Sequence, residues 1–323
     1  MYNMIMVPTD GSGFDREAIR VALRMGERTG AKVRLVRVLA TGSFFGAAPT
    51  AEGMPVAFEL AQSERERALS ELYALEVECR ATSNANISVD LHSGPVNDVL
   101  QGYARRNNID LIVMSTHGRS GISRLSLGSV TDSLIRHTTI PVLVVRPPTS
   151  YLNPQVAKPI TRIVVPLDGS TLAEQILGPV LALAKLEQAE ITLLNVLIPR
   201  SYSQKEIVDP SLPWWDKDIA VAQAYLLRTA GELRRNGVAV TTDIVISENV
   251  ASAIGDFASR EKADLIAIAT HGRGGLARMF RGSVADSVMH SSRVSMLVFK
   301  PNKVAEERSR PFEDEVGTDL IPA

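Results

Sequence analysis

The stretch Asp110-Leu111-Ile112-Val113-Met114-Ser115-Thr116-His117-Gly118-Arg119 decides the fold, because it returns as Asp264-Leu265-Ile266-Ala267-Ile268-Ala269-Thr270-His271-Gly272-Arg273. The offset, 271 − 117 = 154, holds through Gly128-Ser129-Val130 and Gly282-Ser283-Val284. An earlier stretch, Ile5-Met6-Val7-Pro8-Thr9-Asp10-Gly11-Ser12, returns as Ile163-Val164-Val165-Pro166-Leu167-Asp168-Gly169-Ser170 at 168 − 10 = 158. Two matches in the same order at nearly the same spacing mark an internal duplication. The difference, 158 − 154 = 4, is a net deletion in the middle of the second copy.

Within a copy, short apolar runs alternate with helical stripes. Met4 to Val7 reads as a buried strand, and Ser12 caps a helix whose Ala18, Ala22 and Met25 share one face. Lys32 to Leu39 is a second strand, followed by a helix from about Ala57 to Cys79 and a strand from Ile87 to Leu91. Val96, Val99, Leu100, Tyr103 and Ala104 form an i, i+3, i+4, i+7 stripe, repeated by Val250, Ala253, Ile254, Phe257 and Ala258. Strands at Leu111 to Met114 and Pro141 to Val145 enclose a helix from Ser129 to His137. Such alternation means an α/β fold, here two tandem open parallel five-stranded sheets flanked by helices. The expected domains are 1–147 and 160–302, joined by a proline-rich linker at 148–159, with a disordered polar tail at 303–323.

Composition narrows the function. A chain of 323 residues with 45% apolar and 22% charged residues suits two domains with full cores. A net charge of −1 and 5% aromatics give no footprint for nucleic acid. No apolar run is long enough to span a bilayer, and Met1 to Val7 lacks the basic start of a secretory signal, so the expected location is the cytoplasm. Cys79, the single cysteine, excludes an intrachain disulfide and reads as a buried, inert thiol. His92, His137 and His290 are isolated in sequence, so no metal cluster is expected.

In a parallel sheet the ligand cleft lies beyond the carboxyl ends of the strands, which is where the Asp10 and Thr116-to-Ser129 loops fall. Gly118, Gly121 and Gly128 allow backbone to approach an anion, and the helix starting at Ser129 offers unpaired N–H groups. Arg119 and Arg124 can neutralise charge there, and Ser129 can add a hydroxyl or serve only as a helix cap.

These residues resemble the universal stress protein family over 1–146 and 160–301. The resemblance implies a Rossmann-like, adenine-nucleotide α-hydrolase-like domain with strand order 3-2-1-4-5, and ATP as ligand with magnesium accompanying its phosphates. The family's ATP pattern, Gly-x-x-Gly, nine residues, then Gly-Ser, places its second, third and fourth elements on Gly118, Gly128 and Ser129, and on Gly272, Gly282 and Ser283. Ser115 and Ala269 replace its first glycine. His117, Arg119, Gly121 and Val130 complete the first loop; His271, Arg273, Gly275 and Val284 complete the second. Asp10 and Asp168 would accept from nucleotide NH or OH groups, or simply form Asx turns. Val38 and Val196, after the second strand, would pack on the base. Met114 and Ile268 line the pocket wall or belong to the core. Pro8 and Thr9, with Pro166 and Leu167, flank the aspartates, the prolines fixing the loop.

Neither His117 nor His271 has a partner carboxylate at a readable spacing, so no catalytic residue is assigned. A regulatory nucleotide-binding protein of stress adaptation is the favoured reading. A slow ATPase or nucleotidyl transferase in the same cleft, or a scaffold without nucleotide, remain as alternatives. The resemblance also implies that the copies pair through their fifth strands as a pseudo-dimer, and dimerisation of the whole chain is compatible with it.

Overall fold

A computed structural model describes residues 2–40, 54–116, 127–146, 158–199, 214–270 and 284–301. The first copy runs β1 (Met4–Thr9), α1 (Arg16–Thr29), β2 (Lys32–Leu39), α2 (Met54–Thr82), β3 (Asn86–Ser93), α3 (Val96–Arg106), β4 (Leu111–Ser115), α4 (Ser129–His137) and β5 (Val142–Val145). The second runs β6 (Arg162–Pro166), α5 (Thr171–Glu174), α6 (Leu177–Glu187), β7 (Glu190–Leu197), α7 (Trp214–Arg235), β8 (Val240–Ile246), α8 (Val250–Arg260), β9 (Leu265–Ala269), α9 (Val284–Ser291) and β10 (Ser295–Phe299). In the second copy the first helix is split. Pro179, in the opening turn of α6, has no N–H to donate and its ring would crowd the carbonyl of Gln175, so a new helix starts at Leu177.

The strands form one ten-stranded sheet in the order β3-β2-β1-β4-β5-β10-β9-β6-β7-β8. Each half is parallel with the expected 3-2-1-4-5 order. As the family resemblance implies, the copies meet through their fifth strands: β5 and β10 pair antiparallel through Val142↔Val298, Leu143↔Leu297 and Val144↔Met296, which joins the two five-stranded sheets into one. Both strands are apolar edges, and joining them removes two exposed ladders at once.

Alternation along the strands builds two cores. Ile5, Val7, Val33 and Leu35 face the side of α1 and α2, whereas Met6, Val36, Ile112 and Met114 face the side of α3 and α4. Cys79 is buried on α2, and burial pushes its thiol up to about 11. Ile87 and Val240 hold equivalent register positions, opposite Val33 and Ile191, at 240 − 87 = 153. Leu39 and Leu197 end the preceding strands at 197 − 39 = 158. The second copy therefore loses five residues between those strands and regains one before α8.

The seam between the copies is held by charges that are not copied from one half to the other. Glu187 on α6 has no exposed side-chain surface and takes Arg24 of α1 at 2.8 Å and Arg28 at 3.5 Å. At the equivalent offset of 158 the first copy has Thr29, while Ala182 and Leu186 stand opposite the two arginines. Two further contacts do follow the pseudo-symmetry. Arg146, just past β5, donates to the Met289 carbonyl at the end of α9, and Lys300, just past β10, donates to the Arg136 carbonyl at the end of α4, at 2.5 Å. Each cation thus neutralises the negative end of a helix in the other copy.

Removing Glu187 strands two partly buried guanidinium groups, so Glu187→Ala should lower unfolding stability by about 3 kcal/mol. Replacing Arg24, Arg28 and Glu187 together by Met, Leu and Leu should cost far less, and urea unfolding of the two variants measures the difference.

A pair of carboxylates locks the first strand of each copy to its fourth. Asp110 accepts from the Asn3 and Met4 N–H groups at 2.8 and 3.2 Å, and Asp264 accepts from Thr161 and Arg162 at 2.8 and 3.1 Å. Burial of Asp264 opposes its charged form, but the Lys158 ammonium and the Thr161 donors outweigh it and hold the carboxyl below its ordinary range. A depressed carboxyl stabilises the fold above the unfolded-state value of about 3.9 and loses that contribution as pH falls through the folded-state value. Asp264→Asn should therefore be less stable than the parent at pH 7, and the gap should narrow in urea titrations as pH falls below the ordinary carboxylate range.

Candidate functional site

The cleft begins where β1 leaves β4. Their ladder contains only Ile5↔Leu111 and Met6↔Ile112, whereas β1 stays on β2 as far as Thr9↔Arg37. The second copy repeats this: β6 pairs with β9 only at Ile163↔Leu265 and Val164↔Ile266, but with β7 as far as Pro166↔Leu194. In each half a crevice opens at the point where the strand order reverses, at the carboxyl ends of the strands.

The two prolines sit inside strands, not in the loops expected of them. Met4 and Arg162 offer their carbonyls to Asp110 and Asp264. Even-numbered residues of β1 and β6 therefore face β4 and β9. Pro8 and Pro166 come after those ladders have ended, so their missing N–H groups cost no pairing. Val38 and Val196 likewise lie within β2 and β7, half-buried against the core on the α3 and α8 side. Met114 and Ile268 are 5% and 6% exposed and belong to that core.

Beyond the first strands both copies make the same turn. Asp10 accepts from the Ser12 N–H at 2.8 Å and Asp168 from the Ser170 N–H at 2.9 Å, each with one carboxylate oxygen. Gly11 and Gly169 follow at φ 76 and 85, the left-handed region that suits glycine. The Asx turn is thus present at both aspartates, and it engages Oδ1. Beneath the first turn, Thr9 accepts from the Gly11 N–H and donates to the buried Asp15. Burial raises the Asp15 carboxyl above its ordinary range, against the lowering effect of the Thr9 bond.

Across the crevice Ser115 ends β4 half-buried, and its carbonyl accepts from the Thr131 hydroxyl at 3.2 Å. The Gly128 N–H donates to the Thr116 carbonyl at 2.8 Å, which docks the start of α4 onto the end of β4. Gly128 is the residue before the first helical turn, so Ser129 is the first helical residue and not the cap. Gly128 has no side chain to cap the helix, and Ser129 is exposed. Val130 packs partly on the core below. Ala269 closes β9 in the second copy, and Val284, 39% exposed, opens α9. His117, Gly118, Arg119, Gly121 and Arg124 lie outside the described residues, as do His271, Gly272, Arg273, Gly275, Gly282 and Ser283.

Sequence reasoning missed Asp15, Arg37 and Asn195, all buried near the turns. A signal existed for the last two: each is a polar residue interrupting an otherwise apolar row on a strand. Among the described residues no helix is long and apolar enough to cross a membrane.

Comparison with known proteins agrees with this geometry. The model of the universal stress protein family matches residues 1–146 and 159–300. A universal stress protein of Methanocaldococcus jannaschii is 31% identical over 148 residues, covering 46% of this chain and 84% of the relative. One of Mycobacterium tuberculosis is 25% identical over 312 residues and covers 91% of this chain and 94% of its own length. A crystal structure of a universal stress protein from Archaeoglobus fulgidus shares the fold at a TM-score of 0.60 and 18% identity, over 94% of this chain and 97% of that one. Both copies of the chain belong to the universal stress protein family.

Proposed function

We propose that the protein is a regulatory adenine-nucleotide-binding member of its family, with one ATP cleft in each copy, and that ATP binding serves stress adaptation by changing its conformation or partners. The observation that carries the reading is the parting of β1 from β4 opposite a helix start led by Gly128. The residues present suit the ligand. The first N–H groups of α4 are free of any side-chain cap from Gly128, and they favour an anion at the positive end of the helix. Gly128 lets phosphate oxygens approach the backbone, and Ser129 stands exposed beside them. Asp10 and Asp168 are held by their Oδ1 atoms in the turn at the edge of the crevice, and a carboxylate so placed is an acceptor suited to a ribose hydroxyl. Val38 and Val196 offer half-buried apolar surface for the base. Magnesium would be held chiefly by the phosphates it accompanies.

The first copy is the better candidate, because Ser115 can satisfy polar atoms of a ligand where Ala269 cannot. Calorimetry of nucleotide-free protein should give a saturable signal with ATP. Gly118→Val should remove the first site and Gly272→Val the second, each leaving the fold intact by circular dichroism. Absence of heat at millimolar ATP would sink the reading.

A further inference from the structure

Arg37 is a charge within an apolar row, with Leu35 before it and Leu39 after it on the same face of β2. Val33 and Leu35 of β2 point into the core beside α1 and α2, and Arg37 follows them at 7% exposure. A buried guanidinium is costly unless it is paired. Glu71 on α2 supplies the partner at 2.8 Å, and Arg67 holds the other carboxylate oxygen at 2.9 Å. Hydrogen bonds from the two arginines keep the Glu71 carboxyl below its ordinary range.

The guanidinium lies directly against the turn that carries Asp10. Arg37 is the last β2 partner of β1, opposite Thr9. A Cβ built on Gly11 would come within 2.9 Å of its Nη1 and 3.2 Å of its Cζ. In the second copy the same turn rests on different chemistry. A Cβ on Gly169 would meet nothing within 4 Å. At the position of Arg37, 195 − 37 = 158, Asn195 donates to the Leu167 carbonyl at 2.7 Å. Tyr225 stands where Glu71 does, at 225 − 71 = 154, the offset that also relates the buried Leu226 and Leu72.

The packing partners have changed between the copies, yet a buried polar side chain in this row reaches the turn in both. Core packing alone does not call for this, since a buried ion pair can be exchanged for apolar residues at little or no cost. We propose that Arg37 is the positioning residue of the first cleft: its guanidinium, held by Glu71, fixes the Asp10–Gly11 turn for the ligand. Asn195 is its counterpart in the second cleft and acts through the Leu167 carbonyl. The ligand is the nucleotide of the reading above, on which this part rests; the effect on the turn does not depend on it.

Two measurements on the full chain separate the two claims. In a Gly272→Val background, which leaves only the first cleft, Arg37→Met should weaken ATP binding by about tenfold, the scale of one lost charge-assisted bond. Arg37→Lys, which keeps the charge without the planar fork, should restore part of it. In a Gly118→Val background Arg37→Met should leave the second cleft unchanged, while Asn195→Leu should weaken it. Without ligand, hydrogen exchange over residues 10–15 should accelerate in Arg37→Met and stay as in the parent over 168–173. Unchanged exchange over 10–15, or an equal loss at both clefts, overturns the role of Arg37. A parent protein that gives no heat with ATP removes the nucleotide reading alone, and the exchange result then decides the positioning role by itself.

Discussion

The ladder between β1 and β4 stops two residues after it starts, at Met6 and Ile112, while β1 continues alongside β2 to Thr9. Most of what distinguishes the carboxyl edge of the sheet follows from this. Strands joined by helices on opposite faces must part somewhere, and they part where the chain leaves to either side. Once they have parted, residues facing β4 have no ladder to complete, which admits Pro8. The same freedom lets the chain turn sharply at Asp10 and Gly11, and lets Gly128 dock on Thr116 from the other bank. Among the described residues, glycine thus stands on both banks of the crevice, Gly11 on one and Gly128 on the other.

The seam between the copies answers a different need. Two five-stranded parallel sheets would each end in an apolar strand, and β5 with β10 closes both edges. Apolar edge strands alone discriminate poorly between one copy and the other, since β5 is Val and Leu throughout and β10 pairs with it through Met, Leu and Val. The discrimination comes from the helices beside them. Arg24 and Arg28 belong to the first copy alone and Glu187 to the second alone. Pairing two first copies would bury four cations without a carboxylate, and pairing two second copies would bury two carboxylates without a cation. Charge thus fixes which halves meet, while the apolar strands close the ladder between them.

Much of this architecture is legible in the residues. The duplicated stretches set the two halves, and period-2 and period-3.6 patterns locate the strands and helices to within a few residues. The helix at Ser129–His137 is read with the bounds it has in the fold. Three features escape such reading. Pro8 and Pro166 look like loop residues because a proline argues against a central strand; only the register shows that their ladders have already ended. Ser129 looks like a helix cap because serine favours that place, yet Gly128 occupies it, with its N–H on the Thr116 carbonyl at the end of β4. Thr9 and Asp15 fall six apart across a turn, where neither strand nor helix periodicity applies. The pairing of the fifth strands, by contrast, is what the family resemblance implies, although it joins residues about 150 apart, as in Leu143 with Leu297.

Comparing the halves residue by residue shows which parts of the turn are constrained. The aspartate, the left-handed glycine and the serine that follow the first strand are the same in both. Below them almost everything has changed. Thr9 and Asp15 have become Leu167 and Ala173, Arg37 has become Asn195, and Glu71 has become Tyr225. Apolar replacement at three of these places would be the ordinary course for a buried polar cluster, because each unmatched donor or acceptor costs more than a methyl group in the same space. It has happened at Leu167 and Ala173 but not at Asn195, which keeps one hydrogen bond to the turn and leaves its Oδ1 without a partner. A protein interior tolerates such an orphan only where the bond gained is worth more than the atom left bare. On β7 that bond holds the backbone carbonyl immediately before Asp168, so the geometry of the aspartate turn is what the second copy has kept at the expense of its own core.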